Sequence, residues 1–140
     1  MMKLRNTIRF AALFMAVAAA VLFLLDQTEV NAQEERIIRI WGRAAPQIEP
    51  PTLLISKGAT VIWFNNAKDE VMILFEEGKK CDDVTDAGSL FSMNAANCYV
   101  TTWLSFGATS SLRFNEAGTY DYAVEYAGRK QRDSGKIIVE

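Results

Sequence analysis

Histidine, the side chain most often used in protein chemistry at neutral pH, is absent from all 140 residues of this chain. Histidine is the usual general base at neutral pH and the commonest metal ligand. Its absence excludes serine–histidine and cysteine–histidine catalysis and most zinc, copper and iron sites. The chain also has no G-x-S-x-G nucleophile motif and no glycine-rich phosphate loop. We therefore predict that the protein is not an enzyme and holds no cofactor.

The two cysteines, Cys81 and Cys98, are the remaining reactive groups. In an oxidising compartment an even pair at this separation forms a disulfide, which would stabilise the fold by roughly 3 kcal/mol. The alternative is a pair of free thiols that binds Cu(I) together with Met93, and with Met72 as a further soft ligand. We expect the disulfide, because exported thiols are usually oxidised.

Charged residues form two clusters that could bind ligands. Five carboxylates that could supply oxygen ligands to Ca²⁺ crowd the cysteine segment: Glu76, Glu77, Asp82, Asp83 and Asp86. Their spacing matches no EF-hand loop, so a solvated acidic segment is the favoured interpretation. Near the C-terminus, Arg129, Lys130 and Arg132 could dock an acidic protein or an anion. The alternative, which charge runs usually favour, is a solvated hairpin loop.

An apolar cluster of Trp103, Leu104 and Phe106 could belong to a recognition surface. Because 11% of the residues are aromatic, most of them must be buried, and we expect these three side chains in the core. A net charge of −2 gives no support for nucleic-acid binding. The expected partner is therefore another protein.

The first 32 residues have the organisation of a signal peptide. Three basic residues precede an uninterrupted apolar run from Phe10 to Leu25, and Val30-Asn31-Ala32 suits a signal-peptidase cleft. An uncleaved anchor is the alternative, but this run would span about 24 Å of a hydrocarbon core of ~30 Å. We therefore predict a signal peptide at 1–32 and one periplasmic or secreted domain at 33–140, which reaches a membrane only through an uncleaved leader.

The rest of the chain consists of short apolar segments separated by turns, a pattern typical of β-strands. Alternation is clearest in Tyr120–Tyr126, and Thr60–Phe64 is continuously apolar after its threonine, as in a strand covered on both faces. Seven or eight such strands and no convincing helix predict an all-β sandwich. The exception is the acidic, irregular segment from Glu76 to Ser105. We expect a helical turn within Asp86–Ala96 and a tether formed by the cysteines.

Two stretches of sequence resemble the cupredoxins, the plastocyanin-like family. Residues 58–66 read GATVIWFNN and residues 71–75 read VMILF, which is similar to the W-x-N-N turn and following strand of that family. Residues 114–122 read FNEAGTYDY, and residues 135–139 read GKIIV; they resemble the family's F-x-x-x-G-x-Y-x-Y hairpin and its closing strand. The resemblance implies a cupredoxin-like Greek-key β-sandwich of seven to eight strands, with one disulfide-tethered insertion.

The same resemblance assigns positions to the family's copper ligands, which are two histidines, a cysteine and usually a methionine. By motif spacing, the first histidine falls at Val71 and the cysteine at Val124. The second histidine falls near Ala127 and the methionine near Asp133. The resemblance therefore implies a scaffold without a type 1 copper site, in which valine methyl groups fill the space of ligand and metal.

These observations predict an exported, metal-free, cupredoxin-like accessory or interaction module. We expect it to act through contacts with an exported or membrane-associated protein, made by the 76–105 segment or the 127–134 loop. The alternative function is a periplasmic copper-binding or electron-transfer protein that uses a non-histidine Cys/Met site.

Overall fold

Eleven β-strands and one short helix make up the part of the chain that this computed structural model describes, residues 34–87 and 90–140. The strands are β1 (Glu35–Trp41), β2 (Gln47–Glu49), β3 (Thr52–Ile55), β4 (Thr60–Asn65), β5 (Val71–Phe75), β6 (Thr85–Ala87), β7 (Phe91–Met93), β8 (Tyr99–Thr101), β9 (Thr109–Phe114), β10 (Gly118–Tyr126) and β11 (Arg132–Val139). The helix α1 spans Gly78–Val84. The predicted all-β class is confirmed, and the predicted signal peptide lies outside the described residues. No helix within those two ranges is long and apolar enough to cross a membrane.

The strands form two sheets, which we call sheet A and sheet B. Sheet A has the order β2-β1-β4-β9-β6, and sheet B has the order β3-β11-β10-β5-β8-β7. Both sheets are mixed, because β1 runs parallel to β4 and β3 runs parallel to β11. The predicted count of seven to eight strands is too low. The four strands β2, β6, β7 and β8 have three residues each, too few to produce a visible alternation.

The core between the sheets is built from the alternating side chains that the sequence indicates. On β10, Tyr120, Tyr122, Val124 and Tyr126 are all buried, whereas Asp121 between them is exposed. An aromatic cluster centres on Trp63, whose ring lies edge-on to that of Phe75 at 5.9 Å and to that of Tyr122 at 5.5 Å. Such edge-to-face contacts add to the free energy gained by burying the rings.

Strand β4 is covered on one face only, which corrects the expectation from its apolar sequence. Val61 and Trp63 are fully buried between the sheets, while Ile62 and Phe64 on the other face are half-buried. A sandwich has two layers, so the outer face of a strand in either layer remains accessible to solvent. Uniform hydrophobicity did not distinguish this arrangement from a strand buried on both sides.

The acidic segment between Glu76 and Ser105 is more regular than its sequence indicates. Its helix is α1, which ends at Val84. The helical turn expected within 86–96 is therefore misplaced, since the described part of that range holds strand and turn structure. Gly78 permits α1 to lie directly against the neighbouring turn, because a Cβ atom there would lie 2.3 Å from the carbonyl oxygen of Asn97. This close packing therefore requires a residue without a Cβ atom at position 78.

The predicted disulfide between Cys81 and Cys98 is not formed, and both residues are free thiols. Cys81 points from α1 into the hydrophobic core and is 2% exposed. Cys98 follows a turn, is partly exposed, and has its Sγ 3.8 Å from the carbonyl oxygen of Ala96. A disulfide requires close, facing Cβ atoms, and the number and spacing of cysteines carry no information on that geometry. The insertion is held by its helix and strands.

Candidate functional site

Four segments meet at one end of the sandwich and form the surface that we call the loop end. They are residues 41–46, 66–70, 102–108 and 127–131. β1 and β4 run parallel and both finish here, β5 starts here, and β10 finishes beside the start of β5. The segments converge because the strands that precede or follow them are neighbours in the two sheets. Of the positions that the family resemblance assigns to copper ligands, Val71 and Ala127 lie at this end, and Val124 and Asp133 lie opposite each other where β10 and β11 pair.

Asn65 connects two of these segments from inside the protein. Its side-chain amide donates hydrogen bonds to the carbonyl oxygens of Leu104 at 2.8 Å and Asp69 at 3.0 Å. Its side-chain oxygen accepts a hydrogen bond of 2.9 Å from the backbone N–H of Ala67. Asn65 is completely buried, so this polar side chain requires such partners. It fixes the shape of residues 66–70 and their distance from residues 102–108.

Val71 and Val124, at the assigned positions of the first histidine and the cysteine, are both completely buried. Val71 exchanges two backbone hydrogen bonds with Leu104, of 3.0 and 2.7 Å. Val124 lies on β10 directly opposite Ile73 of β5. The interior beneath the loop end is therefore hydrocarbon at these two positions and belongs to the continuous core.

The other two assigned positions lie apart from each other. Ala127 follows β10, and its backbone N–H donates to the carbonyl oxygen of Glu70 at 3.0 Å. Asp133 lies on β11 opposite Val124, and its carboxylate accepts a hydrogen bond of 2.9 Å from the backbone N–H of Ile48 in β2. This hydrogen bond links sheet B to sheet A, so the Asp133 carboxylate has a structural role.

Tyr126 and Arg129 close the loop end from the side of β10. The Tyr126 hydroxyl donates to the carbonyl oxygen of Gly42 at 2.9 Å, with the carbonyl oxygen of Trp41 at 3.2 Å. Burial raises the pKa of this hydroxyl, as expected for an anion that would be formed away from water. The Arg129 guanidinium lies 5.5 Å from the centre of the Tyr126 ring, within the range of a cation–π contact.

The Arg129 guanidinium also joins three segments of the loop end. It donates to the carbonyl oxygens of Arg43 at 2.7 Å and Ala44 at 3.2 Å, and it forms an ion pair of 3.1 Å with Asp69. Hydrogen bonds from a charged donor are stronger than neutral ones. Arg129 therefore holds residues 43–44 and 66–70 against residues 127–131.

The three basic residues proposed as a docking patch occupy different environments. Arg129 is engaged as described, Lys130 is exposed, and Arg132 lies on the outer face of sheet B. Arg132 forms ion pairs with Glu125 at 2.6 Å and Glu76 at 3.1 Å. The structure does not bring the three cations together as one free patch, although Arg129 and Lys130 both belong to the loop end.

Exposed aromatic side chains characterise this surface, which for Trp103 and Phe106 was the alternative to the expected core position. Phe106 is 64% exposed, Trp41 is 46% exposed and Trp103 is 44% exposed. Leu104, which lies between Trp103 and Phe106 in the sequence, is buried. The expectation of a core position is therefore right for Leu104 and wrong for Trp103 and Phe106. The loop end also holds four basic residues, Arg43, Lys68, Arg129 and Lys130, and two acidic ones, Asp69 and Glu70. Its formal charge is 4 − 2 = +2, opposite in sign to that of the whole chain.

Among the residues that the structure describes, no three of the side-chain types histidine, cysteine, aspartate and glutamate cluster closely enough to hold a metal ion. Three carboxylates of the acidic segment have other partners: Glu76 pairs with Arg132, Glu77 pairs with Lys80, and Asp86 accepts a hydrogen bond from Asn115. Desolvation raises the pKa of the Cys81 thiol to about 12. A soft metal requires the thiolate, so this environment disfavours Cys81 as a ligand.

No family model and no curated protein matches this chain. Solved structures of amicyanin do match. The crystal structure of amicyanin from Paracoccus versutus is 23% identical, with 80% of this chain and 86% of that chain covered and a TM-score of 0.51. An oxidized amicyanin variant is 26% identical over 80% of this chain and 87% of that chain, with a TM-score of 0.52.

A reduced Cu(I) form of another amicyanin variant is 23% identical, covers 81% of this chain and 87% of that chain, and gives a TM-score of 0.51. Likenesses at this level of identity establish the fold. The chain therefore has a cupredoxin-like fold, as its two sequence motifs indicate. Because fold does not determine activity, function must be argued from the loop end itself.

Proposed function

We propose that this protein is an exported, metal-free, cupredoxin-like interaction module without enzymatic activity, which docks an acidic protein partner at its loop end. The partner is an exported or membrane-associated protein. The observation that carries the proposal is the pair of fully buried valines, Val71 and Val124, at the positions where the family resemblance assigns a histidine and a cysteine. Valine side chains at both positions keep the interior close-packed, so the scaffold retains its shape. The surface above them is then available for recognition of a partner.

The surface chemistry of the loop end supports protein recognition. Exposed aromatic side chains and arginine are enriched at interfaces between proteins, and three exposed aromatic residues lie here beside four basic ones. An excess of positive charge favours encounter with a negatively charged surface. The hydrogen bonds of Asn65 and Arg129 hold the loops in one arrangement, which lowers the entropy lost on binding.

Metal analysis combined with thiol titration of the purified protein tests the metal-free part of the proposal. The protein should be isolated from the periplasm without added metal and assayed for copper and for thiols before and after unfolding. We expect no stoichiometric metal, one readily modified thiol from the partly exposed Cys98, and a second from Cys81 only after unfolding. Stoichiometric copper would instead support the alternative function, a Cys/Met copper site.

Site-specific photo-crosslinking in the native host tests the docking surface. A photoreactive residue at Phe106 is compared with one at Leu54, which is similarly apolar, 53% exposed and located on β3. We expect a discrete adduct from position 106 that is weakened by Lys68→Glu and Lys130→Glu together. Equal adducts from both positions, or an adduct unaffected by the charge reversals, would refute docking at the loop end.

A further inference from the structure

The first part of strand β10 has no neighbouring strand on the side of β5. Residues Ala123–Tyr126 of β10 pair with Val71–Leu74 of β5. In this antiparallel register the next hydrogen-bonded rung would join Asp121 to Glu76. That rung is missing, because β5 ends at Phe75 and the chain bends at Glu76 and Glu77 to enter α1. A gap therefore opens in sheet B between β10 and the start of α1.

The backbone of β10 faces this gap with hydrogen-bonding groups. The carbonyl oxygen of Thr119 points across it and accepts a hydrogen bond of 3.1 Å from Lys80 Nζ. Backbone groups of a strand alternate in direction, so those of Asp121 point the same way as those of Thr119. Among the described residues, β5 and α1 supply no ladder partner for the Asp121 N–H and C=O. The N–H donor and the C=O acceptor of Asp121 thus face the gap as they would face a neighbouring β-strand.

The gap is the mouth of a cleft of about 410 Å³. This volume lies within the usual range of small-ligand sites, about 300–1,000 Å³. The inner part is lined by Phe75, Cys81 and Tyr122. Tyr122 is 3% exposed, and its buried hydroxyl has no hydrogen-bond partner among the described residues. An unpaired buried hydroxyl is unusual, but this one lies beneath the surface of the cleft.

The charges at the mouth do not favour an ionic ligand. The two cations there, Lys80 and Arg132, are already paired with glutamates, at 3.0 Å for Lys80 with Glu77 and at 3.1 Å for Arg132 with Glu76. Asp121 likewise lies 3.6 Å from Lys136. The cleft thus combines an open strand edge, an apolar interior and a rim whose charges are internally compensated. A neutral amide that carries an apolar side chain fits all three properties.

We propose that this cleft binds a short peptide segment, one residue of which pairs with Asp121 as a strand neighbour while its apolar side chain contacts Phe75, Cys81 and Tyr122. Main-chain hydrogen bonds to a free strand edge are a general mode of peptide recognition, with side-chain pockets supplying selectivity. The cleft lies between β10 and α1, apart from the loop end, so this proposal does not depend on the proposed docking function.

Titration followed by amide NMR tests the site. The probe is N-acetyl-leucine N-methylamide, which offers two amides and one apolar side chain. We expect saturable shifts for residues 74–81 and 119–123 and slower hydrogen exchange of the Asp121 amide. N-acetyl-glycine N-methylamide, without the side chain, and 3-methyl-1-butanol, without the amides, should each bind at least roughly tenfold more weakly. Equal binding of the alcohol would overturn the peptide assignment, as would the absence of saturable shifts at these residues.

A pair of variants on the outer face of sheet B links binding to the cleft. Ser134 lines the cleft from β11, whereas Thr52 on the neighbouring strand β3 does not line it. Both are exposed, so neither Ser134→Tyr nor Thr52→Tyr changes the core. We expect Ser134→Tyr to weaken binding of the leucine probe by at least roughly tenfold and Thr52→Tyr to change it less than about twofold. Equal effects of the two variants would refute binding in this cleft.

Discussion

The side-chain amide of Asn65 donates a hydrogen bond of 2.8 Å to the backbone carbonyl of Leu104, a residue 39 positions later in the sequence. Both residues are buried. Leu104 also exchanges two backbone hydrogen bonds with Val71, so Asn65, Leu104 and Val71 form one connected unit beneath the loop end. The order of the surface loops above therefore depends on a buried polar network.

Replacing Asn65 by alanine should destabilise the fold markedly. The change removes three buried hydrogen bonds and leaves the carbonyl oxygens of Asp69 and Leu104 without that partner. We expect a loss of about 2–4 kcal/mol in the free energy of unfolding, measured by urea denaturation. The adjacent Asn66 is exposed, and Asn66→Ala should change the same quantity by less than about 0.5 kcal/mol. Similar losses in the two variants would show that the network contributes little.

Arg129 should matter to stability more than its neighbour Lys130. Arg129→Ala removes two hydrogen bonds to carbonyl oxygens and the ion pair with Asp69. Because the Arg129 side chain is 38% exposed, solvent screens the pair, and we expect a loss of only about 1 kcal/mol. Lys130→Ala should leave the free energy of unfolding within about 0.5 kcal/mol of wild type. A Lys130 variant as unstable as the Arg129 variant would contradict this assignment.

The buried Cys81 thiol should make stability fall at alkaline pH. Its pKa is raised from 9.0 to about 12 by desolvation in the folded protein. Between these values the native state retains a proton that the unfolded chain has lost. The free energy of unfolding therefore decreases as pH rises above 9, by up to about 1.4 kcal/mol per pH unit. Below pH 9 this group contributes no pH dependence.

Tyrosine ionisation also contributes at high pH, so the measurement is the difference between wild type and Cys81→Ala in denaturation curves at several pH values. Most of the tyrosine contribution cancels in this difference; the part that remains comes from Tyr99 and Tyr120, whose pKa values are raised mainly by burial and further by Cys81. We expect the wild type to lose its advantage over the variant progressively above pH 9. A difference that stays constant with pH would show that the thiol is accessible to water in the native state.

The hydroxyl of Tyr122 should contribute little to stability. It is buried without a hydrogen-bond partner, and burial raises its pKa, an effect that the neighbouring Trp63 indole opposes. We expect Tyr122→Phe to leave the free energy of unfolding unchanged or raise it by up to about 1 kcal/mol. Tyr126→Phe is the matched control, since it removes the hydrogen bond to Gly42 and should cost about 1 kcal/mol. A larger loss for Tyr122→Phe would reveal a bond between its hydroxyl and the indole.

Much of the scaffold could be predicted because its signals are local. The alternation in Tyr120–Tyr126 places the buried face of β10 correctly, and the motifs around Trp63 and Gly118 indicate the cupredoxin-like fold. The three-residue strands could not be predicted, because too few residues alternate. The helix could not be placed either, because it has no side-chain cap and its packing against Asn97 is a tertiary contact.

The candidate sites depended more strongly on long-range contacts. Arg129 and Arg132 belong to one basic run in the sequence, but their partners come from distant segments. Arg129 donates to the carbonyl oxygen of Arg43, whereas Arg132 forms an ion pair with Glu76, so the two residues have different roles. The exposure of Trp103 and Phe106 was likewise decided by how the 102–108 loop folds around Asn65. Composition makes burial the default for aromatic residues and cannot identify the exceptions.

The sequence by itself determined which side chains are available for chemistry and which strand faces are buried. The absence of histidine is a property of composition, and the direction of a strand side chain follows from its parity. Tertiary structure alone decided that Cys81 and Cys98 remain separate thiols and that the loop end exposes its aromatic side chains. It also decided that Asp121 of β10 has a strand partner in β11 but none in β5. Each of these depends on which distant segments lie side by side, and that arrangement is set by the packing of the two sheets as a whole.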